Sequence, residues 1–124
     1  MCAAVPDEEG HLAPVSVDAV LGQAARVSAV ALGPGLGRAD ATTGAVLSLL
    51  DRLEHPVVLD ADGLWHLGDA PERLAGRRHP TVLTPHSGEA ARLLGRERAA
   101  VDADRLGCAR ELARRSGAVV VLKG

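Results

Sequence analysis

Residues 81–95 read TVLTPHSGEAARLLG. A short apolar run, Val82-Leu83, stops at Thr84-Pro85-His86-Ser87-Gly88-Glu89. A helical pattern then begins, with Ala90, Leu93 and Leu94 on one face. The switch from an extended run to a 3.6-residue period predicts a buried strand followed by a helix over about 87–95. Pro85 lacks an N–H and forces Thr84 into an extended conformation. Thr84 or Ser87 can cap the helix, and Glu89 in its first turn suits the dipole. His86 has no part in that account. A loop histidine is usually just solvated, and its place at the carboxyl end of a strand raises the case for a ligand contact.

The same alternation runs outward in both directions. Ser16 is placed to cap a helix whose apolar face is Val17, Val20, Leu21 and Ala24. An apolar run from Val27 to Leu32 ends in GPGLG, residues 33–37. Val46, Leu49, Leu50 and Leu53 mark a second helix starting near Asp40. Val57–Leu59 follows Pro56 as a strand and ends in Asp60-Ala61-Asp62-Gly63. Residues 63–80 are mixed, with one or two short helical turns. A last helix over about 102–116, with Leu106, Ala109 and Ala113 on one face, runs into the apolar strand of GAVVVLKG. Residues 1–15 read as irregular. Apolar strands alternating with helices predict an α/β fold: a mainly parallel sheet with helices on both faces. Every unusual motif sits at a predicted strand's carboxyl end, the edge where open α/β sheets bind ligands.

Each motif has two readings. Gly33, Gly35 and Gly37 either admit a ligand to bare backbone or only make a tight turn. Asp60 and Asp62, two residues apart, point to opposite faces if the strand continues, so no shared metal is implied. One is free to contact a ligand while the other caps a short helix. Lys123 is the sole lysine among fourteen basic residues. It either meets phosphate as a point charge or extends to solvent at the end of its strand.

Composition narrows the classes. The 124 residues carry a net charge of −2, with 47% hydrophobic and 24% charged residues, as in a globular protein. There is no basic excess for nucleic acid or anionic membrane. Trp65 is the only aromatic residue, so the stacking platforms of single-strand binders are missing. Cys2 and Cys108 have neither metal nor disulfide-framework spacing. A cytoplasmic setting is expected.

Taken in order, ALGPGLG, PVVLDADGL, TVLTPHSGEAARLLG and VVVLKG resemble the ADP/ATP-dependent NAD(P)H-hydrate dehydratases, which are ribokinase-like proteins. The resemblance covers about residues 27–124, and TPHxGE preceded by GPGLG is its specific part. It implies that residues 16–124 are part of a domain that extends beyond them at both ends. It further implies hydrated NADH or NADPH as substrate, ADP or ATP with Mg2+ as cofactor, and a homo-oligomer. Its substrate contacts fall on Gly33, Gly35, Gly37, Asp60, Asp62 and His86, and its nucleotide contacts on Lys123 and Gly124. The family's catalytic aspartate lies in a GTGD-like loop after the Lys-Gly element. No such loop occurs in these residues, so no catalytic residue is assigned. Trp65 stands where asparagine is usual, and Ser87 where proline is commonest. The alternatives are a small-molecule kinase of the same superfamily and an inactive nucleotide-binding fragment.

Overall fold

The computed structural model describes residues 2–124. Four short strands, β1 (Val30–Leu32), β2 (Val57–Leu59), β3 (Thr81–Leu83) and β4 (Val119–Val120), form one sheet in the order β1-β2-β3-β4. All three pairings are parallel. Parallel neighbours need crossovers, and the helices supply them. In chain order these are α1 (Val17–Ala24), α2 (Asp40–Arg52), α3 (Asp62–Trp65), α4 (Ser87–Leu94), α5 (Arg98–Ala103) and α6 (Arg105–Ser116). Two 3-10 turns, Pro14–Ser16 and Pro71–Leu74, complete the list of helical elements among the described residues.

Alternation along the strands fixes where the core lies. Val57 and Leu59 are buried while Val58, between them, is 39% exposed. Leu32 and Leu83 share the buried face and pack with Val46, Leu49, Leu64, Leu93 and Leu112. Each fully buried leucine contributes about 1.5–3 kcal/mol relative to an exposed one. The opposite row, Ala31-Val58-Val82-Val119, is aligned across all four strands, and Val119 is 63% exposed. Helices on both faces were expected. Within these residues one face is covered and the other is open. The cause is topological: each strand joins on the same side of the last, and right-handed crossovers then put every connecting helix on one face.

Two further expectations change in detail. The last helical stretch is broken at Asp104 into α5 and α6, and its buried stripe is Cys108, Leu112 and Ser116. Leu106 is 62% exposed. The Leu106-Ala109-Ala113 face was therefore misassigned, because three small or apolar residues at helical spacing do not outweigh the i, i+4, i+8 row one step further round. The apolar runs 27–32 and 118–122 pair over fewer residues than their composition suggests, but the β4 ladder continues past its end. Val121 N–H donates to Leu83 O and Lys123 N–H to Pro85 O, each at 2.8 Å.

Residues 2–13 hold no helix or strand beyond a turn pairing Glu8 with His11, and the 3-10 turn at Pro14–Ser16 follows. Ser16 Oγ donates to Pro6 O and accepts from Ala13 N–H, so it pins this segment and does not cap α1. At the amino ends of the strands, Arg77 holds the end of α2. Its guanidinium donates to the carbonyls of Leu50, Leu53 and His55 and to Thr81 Oγ1. No helix among the described residues is long and apolar enough to cross a membrane.

Candidate functional site

At the carboxyl ends of β1 and β2 the backbone passes very close to itself. Asp60 N–H donates to Leu32 O at 3.1 Å, extending the ladder by one step. Gly33 follows at φ 136°, and a Cβ on it would overlap Asp60 O and lie 2.8 Å from Gly63 N. A Cβ on Gly63 would lie 2.7 Å from Leu32 O. These two glycines exist so that one strand end can seat against the next.

The other two glycines of the loop differ. Gly35, at φ 76°, has nothing within 4 Å of the Cβ position and faces open space. Gly37, at φ 74°, is held at both ends of its peptide unit: its N–H donates to Asp62 Oδ2 at 3.0 Å, and its carbonyl lies 2.9 Å from His66 Nε2. A carbonyl can only accept, so His66 Nε2 carries the hydrogen. In the neutral ring Nδ1 then accepts from Thr43 Oγ1 at 2.7 Å. Asp62 also takes Arg38 Nε at 3.2 Å. Thus Asp62, the first residue of α3, and the buried His66 just after it grip the glycine loop.

Asp60 sits on the other side of α3's start. Ala61 adopts φ 49°, ψ −122°, a region that disfavours any Cβ, and its N–H donates to Asp60 Oδ1 at 2.9 Å. Lys123 Nζ reaches the same oxygen at 2.8 Å. Burial alone would raise the Asp60 pKa. The hydrogen bonds from Lys123 and Ala61, with the ammonium charge, outweigh burial and hold the carboxyl below its ordinary range. Thr84 Oγ1, at the end of β3, is buried beside the Asp60 carboxylate and adds to that lowering, though it completes no hydrogen bond among the described residues. Arg105 clamps this corner by donating to Ser87 Oγ at 2.8 Å and to Lys123 O at 2.6 Å.

His86 is the cap of α4, in place of Thr84 or Ser87. Its Nδ1 accepts from Gly88 N–H at 3.0 Å and Glu89 N–H at 3.2 Å, while its own N–H donates to Glu89 Oε2 at 2.8 Å. An accepting Nδ1 puts the ring hydrogen on Nε2, on a side chain that is 59% exposed and 3.5 Å from Glu89 Oε1. His86 faces a cleft of about 140 Å³ that Arg38, Ala61, Trp65, Glu89 and Arg92 also line. The guanidinium carbons of Arg38 and Arg92 lie 4.0 and 3.2 Å from the centroid of the Trp65 ring.

The structure thus gathers Gly33, Gly37, Asp60, Asp62, His86 and Lys123 along one edge, with Gly35 in open space beside them and Gly124 at the end of the ladder. Asp62 is the first residue of α3 and serves the glycine loop. The sequence reading missed Arg38, His66, Arg92 and Arg105, because the contacts that bring each to this edge span more than fifteen residues.

The family model for NAD(P)H-hydrate dehydratase matches residues 1–124. The bifunctional NAD(P)H-hydrate repair enzyme Nnr of Mycobacterium tuberculosis is 52% identical over 101 residues, covering 82% of this chain and 20% of that protein. Among solved structures, the ADP/ATP-dependent NAD(P)H-hydrate dehydratase of Bacillus subtilis, co-crystallised with ATP/Mg2+, superposes with a TM-score of 0.65 at 33% identity. That match covers 84% of this chain and 38% of the other. A ribokinase-like superfamily protein of Enterococcus faecalis shares the fold with a TM-score of 0.68 at 18% identity, over 88% of this chain and 38% of that one. The chain spans about a fifth of the length of the curated relatives it matches. A parallel ribokinase-like sheet with its motifs gathered on one edge, together with a family match over its whole length, shows that the chain belongs to the NAD(P)H-hydrate dehydratase family.

Proposed function

We propose that this chain forms the hydrate-binding edge, and the start of the nucleotide edge, of an ADP/ATP-dependent dehydratase that restores NADH and NADPH from their (6S) hydrates. The observation that carries this reading is the convergence of four strand-end motifs on one edge, with two groups there left accessible. Gly35 needs no Cβ space for any neighbour, and His86 presents an Nε2–H after Nδ1 is spent on the α4 cap. A substrate lying across the glycine loop meets bare backbone at Gly35 and a hydrogen-bond donor at His86. Asp62 and His66 keep the loop in register beneath it. Asp60 orients Lys123, whose ammonium suits a nucleotide phosphate.

When bound, the adenine nucleotide supplies the phosphoryl chemistry that makes the hydroxyl at the hydrated ring's 6-position a leaving group. The chain's own residues bind and orient, and none of them is assigned as the catalytic base. No group of three or more His, Cys, Asp or Glu side chains that could hold a metal is found among the described residues, so no Mg2+ ligand is named. The enzyme is read as homo-oligomeric, as the resemblance implies, and as working in the cytoplasm.

The test replaces the matching segment of the Bacillus subtilis dehydratase with residues 30–124 and follows NADH absorbance after adding the (6S) hydrate. Regeneration that requires ADP or ATP is the expected outcome. Regeneration without nucleotide, or transfer of phosphate to an isolable alcohol by the folded chimera, overturns the reading. The second of those results would favour a kinase.

A further inference from the structure

The cluster beside His86 has a feature that the loop contacts do not explain. Trp65 carries two guanidinium groups over its ring, Arg38 from the glycine loop and Arg92 from α4. Stacking uses the flat face of a guanidinium and leaves its N–H donors free around the edge. Arg38 spends its Nε on Asp62. Arg92 pairs with no carboxylate among the described residues, and its one hydrogen bond goes to Trp65 O at 3.5 Å. The two carboxylates nearby are already engaged: Asp62 by Gly37 and Arg38, Glu89 by the backbone of His86. Two cations held by one aromatic ring, one of them lacking any anion, line the same cleft as His86. Like charges repel, so the pairing is most favourable when an anion sits between or beside them.

We propose that Arg38 and Arg92, stacked on Trp65, form an oxyanion subsite that binds a phosphate group of the dinucleotide substrate. Arg92 supplies the main bidentate donor and Trp65 sets its orientation. The assignment to the substrate rests on the proposed function, because the cleft adjoins His86 and the glycine loop, whereas Lys123 lies beyond Asp60. A phosphate of ADP or ATP would offer the same chemistry, and the experiment separates the two.

Trp65 is the only aromatic residue, so intrinsic emission reports this subsite alone. Inorganic pyrophosphate is titrated into the 124-residue chain and followed by Trp65 emission and by calorimetry. The expected result is saturable binding that Arg92→Gln weakens by about tenfold or more, as loss of a charge-assisted bidentate contact requires. Arg92→Lys, which keeps the charge without the planar fork, should recover only part of the loss. Circular dichroism checks that these exposed-site variants stay folded. No heat and no emission change, or equal binding by Arg92→Gln, overturns the subsite. Displacement of pyrophosphate by hydrated NADH supports the substrate assignment. Displacement by ADP alone overturns that assignment and leaves the dehydratase reading to the nucleotide-dependence assay, which can fail independently.

Discussion

Gly33→Ala and Gly35→Ala should separate the two reasons for glycine in one loop. At Gly33 the backbone is at φ 136°, and the added methyl would overlap Asp60 O and lie 2.8 Å from Gly63 N. Both obstacles are backbone, so no side chain can swing away. The strand ends must part, which strains or breaks the Asp60 N–H to Leu32 O bond. Backbone strain of about 1–3 kcal/mol adds to about 1–3 kcal/mol for the disrupted buried hydrogen bond. The sum, about 2–6 kcal/mol, is a large part of the roughly 6–18 kcal/mol expected for a domain of this size. Gly35→Ala meets only the positive-φ penalty of about 1–2 kcal/mol, because nothing lies within 4 Å of its Cβ. For a chain of this length, Tm should fall by about 6–24 °C for Gly33→Ala and by about 3–8 °C for Gly35→Ala, read by circular dichroism. Equal losses for the two variants, or a Gly33→Ala melt indistinguishable from the parent, would refute the close-approach argument.

Other perturbations test separate parts of the edge. Asp60 titrates below its ordinary 3.8, so its contribution to stability is complete above that value and is lost as pH falls through the lower folded pKa. Lys123→Met should flatten acid unfolding in that window and, for so exposed a pair, lower stability at neutral pH by no more than about 1 kcal/mol. His86→Ala should lose about 1 kcal/mol by uncapping α4, measured by urea unfolding, and His86→Asn should recover most of it. Neither variant restores the Nε2 donor, so hydrate binding should fall in both. Arg77→Met strips three backbone carbonyls of their donor and should destabilise the chain by about 2–3 kcal/mol without changing ligand affinity.

The sheet was legible because its strands are short apolar runs ended by residues that cannot continue them: Gly33, Asp60 and Pro85. The clustering of the motifs on one edge was legible for the same reason, since the terminators are also the residues proposed to meet ligand. The bare second face was not legible. Val58 and Val119 are as apolar as Val57, and only strand order shows which side the crossovers leave open. His86 as a cap was hidden by residue type, because its imidazole does the work usually given to Ser, Thr, Asp or Asn. The grip on Gly37 was hidden by distance. His66 and Thr43 meet across 23 residues, and neither carries a local signal of that contact. Gly33 and Gly35 look alike in GPGLG, and only the path of β2 tells them apart.

The measurement that tests the central claim most directly is amide chemical-shift mapping of the 124-residue chain titrated with (6S)-hydrated NADH. The strand-end edge should respond, with the largest shifts at Gly35, Gly37, Asp62 and Gly88, while Arg77, Arg78 and His79 at the opposite end stay fixed. Shifts centred on the Arg77 end, or none with a folded chain at saturating hydrate, would contradict the account.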